Sequence, residues 1–288
     1  MSIRKILVPL ASTAASESAL AAGLLVGRIW NAHVLALHVR VDARDVAPLA
    51  GEGLSGAMIE EMMAATEKEG GERATLLRAI FDRAVAAQEI SLAAPISDQN
   101  VATAAFAAAV GREEDVVAQQ ARLADLTVIT HPEAGGDAAS ADTLHAVLFD
   151  SGRPVLLAPG TPPATIGRRI CVAWNGTAES ASAVTAALPW MQRAEAIRIL
   201  SSEGYQRRGP PAEELAPYLA LHGVAAELGT IRPIGGVVGA GILAAASEFG
   251  ADLLSMGAYS HSRLRQLILG GVTRHVLEHA DLPILMSR

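Results

Sequence analysis

At 288 residues and a formal net charge of −7, the chain has room for two ordinary domains and lacks the basic excess of a general nucleic-acid binder. Hydrophobic residues make up 51% and aromatics only 3%, as suits small aliphatic side chains packed on a buried parallel sheet. No apolar run reaches the roughly 18 residues that a membrane-spanning helix needs, so no membrane partner is expected. The N-terminus enters a strand at once, Ile6-Leu-Val-Pro9, with no small-residue cleavage site of a signal peptide, which predicts a soluble, cytoplasmic chain. Behind it, Thr13 is placed to N-cap an Ala-rich helix. The stretch from Arg40 to Gln88, with Gly51-Glu-Gly-Leu-Ser-Gly56 and Glu67-Lys-Glu-Gly-Gly-Glu72, reads as an enlarged loop plus a helical segment over 54–66. Strands follow at Ala124-Asp-Leu-Thr-Val-Ile129 and Arg153-Pro-Val-Leu-Leu157, and Pro159-Gly-Thr-Pro-Pro-Ala-Thr-Ile-Gly167 reads as a linker.

Beyond the linker the pattern repeats. Ile170-Cys-Val-Ala-Trp-Asn-Gly-Thr177 lies over Ile6-Leu-Val-Pro-Leu-Ala-Ser-Thr13, Ala251-Asp-Leu-Leu-Ser-Met256 over 124–129, and Leu282-Pro-Ile-Leu-Met286 over 153–157. The division is therefore 1–158 and 168–288, with the extra length of the first copy falling in 40–88. In copy two, strands are predicted over 169–174, 196–201, 224–229, 252–257 and 283–287, and helices over 178–191, 212–222, 238–249 and 271–279. This alternation predicts an α/β fold of two tandem, doubly wound, five-stranded parallel sheets with helices on both faces. Such sheets bind ligands beyond the carboxyl ends of strands, where the strand order reverses. The single cysteine, Cys171, excludes an internal disulfide and a thiolate zinc cluster, and reads as a small buried hydrophobe.

The segment after the fourth strand of copy two reads Gly257-Ala-Tyr-Ser260-His-Ser-Arg263-Leu-Arg-Gln-Leu-Ile-Leu-Gly270-Gly271-Val-Thr273. Glycine backbone approaches anions closely, and a helix starting near Gly271 offers unpaired amides. The spacing resembles the nucleotide loop of the universal stress protein family, Gly-x2-Gly-x9-Gly-Ser/Thr. The tail Gly271–Met286 resembles that family's last helix and strand, and Ile170–Thr177 its first strand. The resemblance implies an adenine nucleotide alpha hydrolase-like fold, an intramolecular pseudo-dimer paired through the last strands, 154–158 and 283–287, and scope for a homodimer.

The resemblance also implies a nucleotide site formed by Ala173, Asn175, Gly257, Ser260, Arg263, Gly270, Gly271 and Thr273, taking ATP or another adenine nucleotide with Mg²⁺. The pattern is altered: Asn175 and, in copy one, Ala11 stand where the family's nucleotide binders carry Asp, Ser260 replaces a glycine, and Gly271 replaces Ser or Thr. Copy one reads Thr130-His-Pro-Glu133 where copy two has Gly257-Ala-Tyr-Ser260, and is expected to bind no nucleotide. Trp174 and Tyr259 follow strand ends and either stack on a base, block it, or simply pack.

Other motifs read as incidental. His275-Val-Leu-Glu278-His279 has the spacing of a zinc-peptidase helix but no evident third ligand, so C-terminal capping is the plainer account. Gly239-Ala-Gly-Ile-Leu-Ala244 matches a dinucleotide fingerprint but sits far from its unit's first strand and reads as small residues for close helix packing. Asp98, Glu113, Glu114 and Asp115 read as charges at exposed helix ends. Two functions stand: a stress-response module binding a nucleotide or another small anionic ligand once per chain in copy two, or an interaction protein acting through its surfaces and the 40–88 segment. Catalysis is not expected, with weak ATP hydrolysis left open.

Overall fold

The computed structural model describes residues 2–11, 13–46, 55–93, 100–131, 138–202, 209–258 and 271–288. The first half contains β1 (Lys5–Pro9), α1 (Thr13–Trp30), β2 (His33–Arg40), α2 (Ala43–Val46), α3 (Gly56–Ala87), β3 (Ser91–Leu92), β4 (Thr103–Val110), α4 (Glu113–Ala121), β5 (Leu126–Thr130), α5 (Ala138–Asp150) and β6 (Val155–Ala158). The second contains β7 (Arg169–Ala173), α6 (Ala178–Met191), β8 (Ala196–Ser201), α7 (Ala212–Leu221), β9 (Glu227–Thr230), α8 (Val238–Phe249), β10 (Leu253–Gly257), α9 (Gly271–His279) and β11 (Ile284–Ser287).

All strands join in one sheet, ordered β3-β4-β2-β1-β5-β6-β11-β10-β7-β8-β9. Within each half the pairs are parallel, and the order β4-β2-β1-β5-β6 is mirrored by β9-β8-β7-β10-β11. The halves meet through the antiparallel pair β6–β11, with Leu156 opposite Leu285. The two five-stranded units are thus fused into one sheet, and the expected pairing of the last strands is what fuses them. The short β3 adds an edge strand to the first half alone.

Every residue of β5, β6 and β11 is buried, as strands covered on both faces must be. One face buries Val8, Leu20, Val34, Phe81, Leu156, Val172, Trp190 and Leu285 in a single apolar layer. The other buries Leu7, Leu37, Val147, Leu157, Cys171, Ile242, Met256 and Met286. Both layers run across the junction, so neither half has a core of its own. Burial pushes the Cys171 thiol up to about 12, which leaves it the inert hydrophobe its surroundings require.

Two expectations change. The helical segment expected over 54–66, beside an enlarged loop, is the start of a longer helix: α3 runs unbroken from Gly56 to Ala87, through Gly70-Gly71. Its N-cap Ser55 accepts from the Met58 amide, and the ion pairs Lys68–Glu72, Arg73–Glu69 and Arg78–Asp82 lie at helical spacing along it. Only its last turns are pinned, by Leu77, Ile80, Phe81 and Val85. The strand predicted over 224–229 starts later, at Glu227. Residues 223–224 instead finish α7: Gly223 takes φ +73°, its amide bonds the Ala220 carbonyl, and the Val224 amide bonds that of Leu219. Those two bonds make a Schellman cap, which uses Val224 before a strand can.

Candidate functional site

Strand order reverses between β7 and β10, so the crevice beyond their carboxyl ends is where a ligand belongs. Ala173 ends β7, fully buried, in register with Met256 of β10 and Leu200 of β8. Gly257, the last residue of β10, borders the crevice directly. A Cβ there would stand 2.6 Å from the backbone of both Glu179 and Ser180 in the first turn of α6. Its lack of a side chain therefore serves the approach of protein backbone rather than of a phosphate.

The N-terminus of α6 and that of α9 both follow strands at this crevice, so their unpaired amides and dipoles favour an anion there. Gly271 opens α9, exposed, and nothing among the described residues lies within 4 Å of where a Cβ would stand. Thr273, two residues on, is turned into the core on the face of Val276 and Leu277. Ser260, Arg263, Gly270 and Tyr259 lie outside the described residues, as do Asp98, Pro132 and Glu133.

Asn175 occupies the expected place after β7, but its side chain is already engaged. Its Oδ1 accepts from the Thr177 amide (3.2 Å) and hydroxyl (2.9 Å), while the Thr177 hydroxyl caps α6 by accepting from the Ser180 amide. The arrangement is an Asx turn that presets the helix start. An amide oxygen so occupied, with no charge, is a poor ligand for Mg²⁺. Among the described residues no group of three His, Cys, Asp or Glu is placed to hold a metal. The described residues therefore do not fit the cation that the resemblance implies.

Trp174 neither stacks over the crevice nor stands free in it. It is 5% exposed and its indole N–H donates to the Pro210 carbonyl at 2.9 Å. With Pro210, Leu215 and Tyr218 it lines an apolar pocket of about 410 Å³ between α6 and α7. Sequence reading missed Ser202, just past β8, whose buried hydroxyl has no partner among the described residues. Its place after a strand end was the available signal.

In the first half, the backbone N–H of His131 bonds Ala158 as that of Ala258 bonds Ser287, so His131 stands where the second half has alanine. The ring is buried, and burial pushes its pKa down to about 4 against an opposing hydrogen bond to the Val276 backbone. The zinc-like histidines are accounted for within α9. His275 and His279 stack with centroids 4.1 Å apart, the His279 Nδ1 meets the His275 carbonyl, and Glu278 pairs with Arg274 at 2.5 Å. The fingerprint glycines serve packing: a Cβ at Gly241 would stand 2.4 Å from the Arg232 carbonyl oxygen. Glu113, Glu114 and Asp115 form the first turn of α4, with Arg112 pairing Glu114.

Residues 167–288 match the model of the Universal stress protein family. None of the curated proteins compared matches the chain. Among solved structures, a universal stress protein from Archaeoglobus fulgidus DSM 4304 superposes with TM-score 0.67 at 14% identity, covering 99% of this chain and 98% of that one. A functionally unknown protein from Pseudomonas aeruginosa PAO1 and a putative universal stress protein from Pseudomonas aeruginosa UCBPP-PA14 each give 0.55 at 16% identity. They cover 99% of this chain and 92% and 93% of their own. At these identities the structures speak for the fold, and their near-complete coverage extends it over both halves. Residues 167–288 thus match the universal stress protein family, and with the same strand order in the first half both halves share the fold of these solved structures.

Proposed function

We propose that the chain is a stress-response ligand-sensing module that binds one small anionic ligand, an adenine nucleotide being the leading candidate, at the β7–β10 crevice. What supports this reading is that α6 follows β7 and α9 follows β10, the two strands that flank the switch point in the half that matches the family. Backbone amides there, Gly271 among them, would meet phosphate oxygens. Asn175 would shape the turn rather than ligate a metal, so binding should not depend on Mg²⁺. In the first half, His131 adds bulk where the second half has alanine, which supports a single site. Nothing in this reading calls for catalysis.

Isothermal titration with ATP, with and without Mg²⁺, tests it. Saturable heat of equal size under both conditions is expected. No heat at about 1 mM ATP would favour the second reading, an interaction protein whose crevice has closed. That reading draws on two observations: backbone of α6 packed against Gly257, and Trp174 bonded to Pro210.

A further inference from the structure

The first half holds a second cleft, remote from the β7–β10 crevice, at the carboxyl ends of β2 and β4. Arg40 and Val110, the last residues of these strands, are in register and both line it. Its volume is about 410 Å³, and its other walls come from α2, from the turn before it, and from the exposed half of α3, including Asp42, Arg44 and Glu67. It is built almost wholly by the extra 40–88 segment that the second half lacks.

The charges in this cleft are unevenly paired. Arg44 is held by Asp42, 3.6 Å away, whose carboxylate also accepts the Arg44 amide. Arg40 has no such partner: among the described residues no carboxylate lies within 4.0 Å of its guanidinium, and its Nε is buried without a hydrogen bond. Its stem lies along Gly70 of α3, with Cδ 3.6 Å from where a Cβ would be, which fixes the direction of the side chain. Two residues back on the same strand face, His38 is 3% exposed; its Nδ1 donates to the Leu10 carbonyl, and its Nε2, an acceptor, has no partner among the described residues. Glu67, across the cleft, is exposed and forms no ion pair among the described residues. Arg40 therefore brings to the cleft a guanidinium with no carboxylate partner among the described residues, and Glu67 a carboxylate with no cation.

We infer that this cleft binds a small zwitterion of α-amino-acid type, its carboxylate on Arg40 and its ammonium on Glu67. A purely anionic ligand would gain Arg40 but meet Asp42 and Glu67, and a purely cationic one would meet Arg40. Only opposite charges on one small molecule satisfy both unpaired groups, with charge-assisted hydrogen bonds at each end. The cleft also lies where parallel sheets present ligands, beyond strand ends. The inference is independent of the nucleotide reading of the second half.

Side-chain NMR of Arg-labelled protein tests it, following the Nε–H resonance of Arg40, assigned by its absence in Arg40→Lys. L-alanine, acetate, methylammonium and inorganic phosphate are titrated separately. L-alanine should shift the resonance saturably, with each singly charged probe and phosphate about ten-fold weaker or worse. Glu67→Gln, an exposed change that leaves the fold intact by its amide spectrum, should weaken L-alanine by about ten-fold, or 1.4 kcal/mol. Acetate or phosphate binding as tightly as L-alanine would overturn the zwitterion in favour of a simple anion site. So would a Glu67→Gln protein that binds L-alanine unchanged, or a wild-type resonance that no probe moves.

Discussion

Trp30 and Trp190 meet edge to face across the junction of the two halves, ring centroids 5.6 Å apart at 77°. Trp30 is the last residue of α1 and Trp190 lies in the last turn of α6; Arg193 lies over the Trp30 ring, 4.8 Å from its centroid, while donating to the Ile29 carbonyl. Together with the β6–β11 pair, this contact makes the stability of one half depend on the other. Trp30→Ala should lower unfolding free energy by about 3–5 kcal/mol. Because the cores are continuous, amide exchange in β8, on the far side of the second half, should quicken as well. Exchange in β8 unchanged from wild type would show that the halves are stabilised separately.

Much of the fold was legible because short-range signals agree with the tertiary structure. Thr177 caps α6 as its position predicted, Gly250 closes α8 in the left-handed conformation at φ 67°, and α6, α8, α9 and β8 fall on the predicted residues. The length of α3 was not legible, because Gly70-Gly71 reads as a break and only its ion pairs and distal core contacts carry it through. The site was harder to read than the fold. Sequence placed Ala173, Asn175, Gly257 and Gly271 around the crevice, but could not show that the Asn175 oxygen is taken by Thr177. Nor could it show that Trp174 bonds a carbonyl 36 residues away.

The glycines within α3 yield a stability prediction. A Cβ at Gly71 would meet nothing within 4 Å, and one at Gly70 only ordinary contacts to the Arg40 stem. Alanine at either position should therefore stabilise the protein by about 0.5–1 kcal/mol in urea unfolding, by lowering the entropy of the unfolded chain and improving helix propensity. A loss of stability at Gly71→Ala would mean that α3 is interrupted there.

At the crevice two glycines should behave in opposite ways. Gly257→Ala drives a methyl into the α6 backbone and should cost about 1–3 kcal/mol, seen as a lowered melting temperature. Gly271→Ala, at the first turn of α9, adds a methyl with no described residue within 4 Å, and should change stability by less than about 0.5 kcal/mol. Equal effects from the two would contradict the placement of α6 against β10.

Acid should weaken the fold through its buried histidines. The pKa of His131 is lowered from 6.5 to about 4 by burial, and those of His33, His38 and His145 are lowered by the same cause. A histidine kept neutral in the folded state makes the unfolded chain the better proton acceptor. Stability is then full above the unfolded pKa and falls as pH drops through 6.5 toward about 4. For His131 alone the loss is on the order of 3 kcal/mol. In urea titrations across that range, His131→Phe should show a shallower pH dependence than wild type. An unchanged slope would show that His131 is solvated.

The central claim is one small anionic ligand per chain, held by backbone at the second half's crevice without help from a metal. Native mass spectrometry of the chain in about 1 mM ATP, with Mg²⁺ chelated, tests it most directly. The account predicts a single nucleotide adduct whose occupancy does not rise when Mg²⁺ is restored. Two adducts per chain, or one that forms only with Mg²⁺, would contradict it.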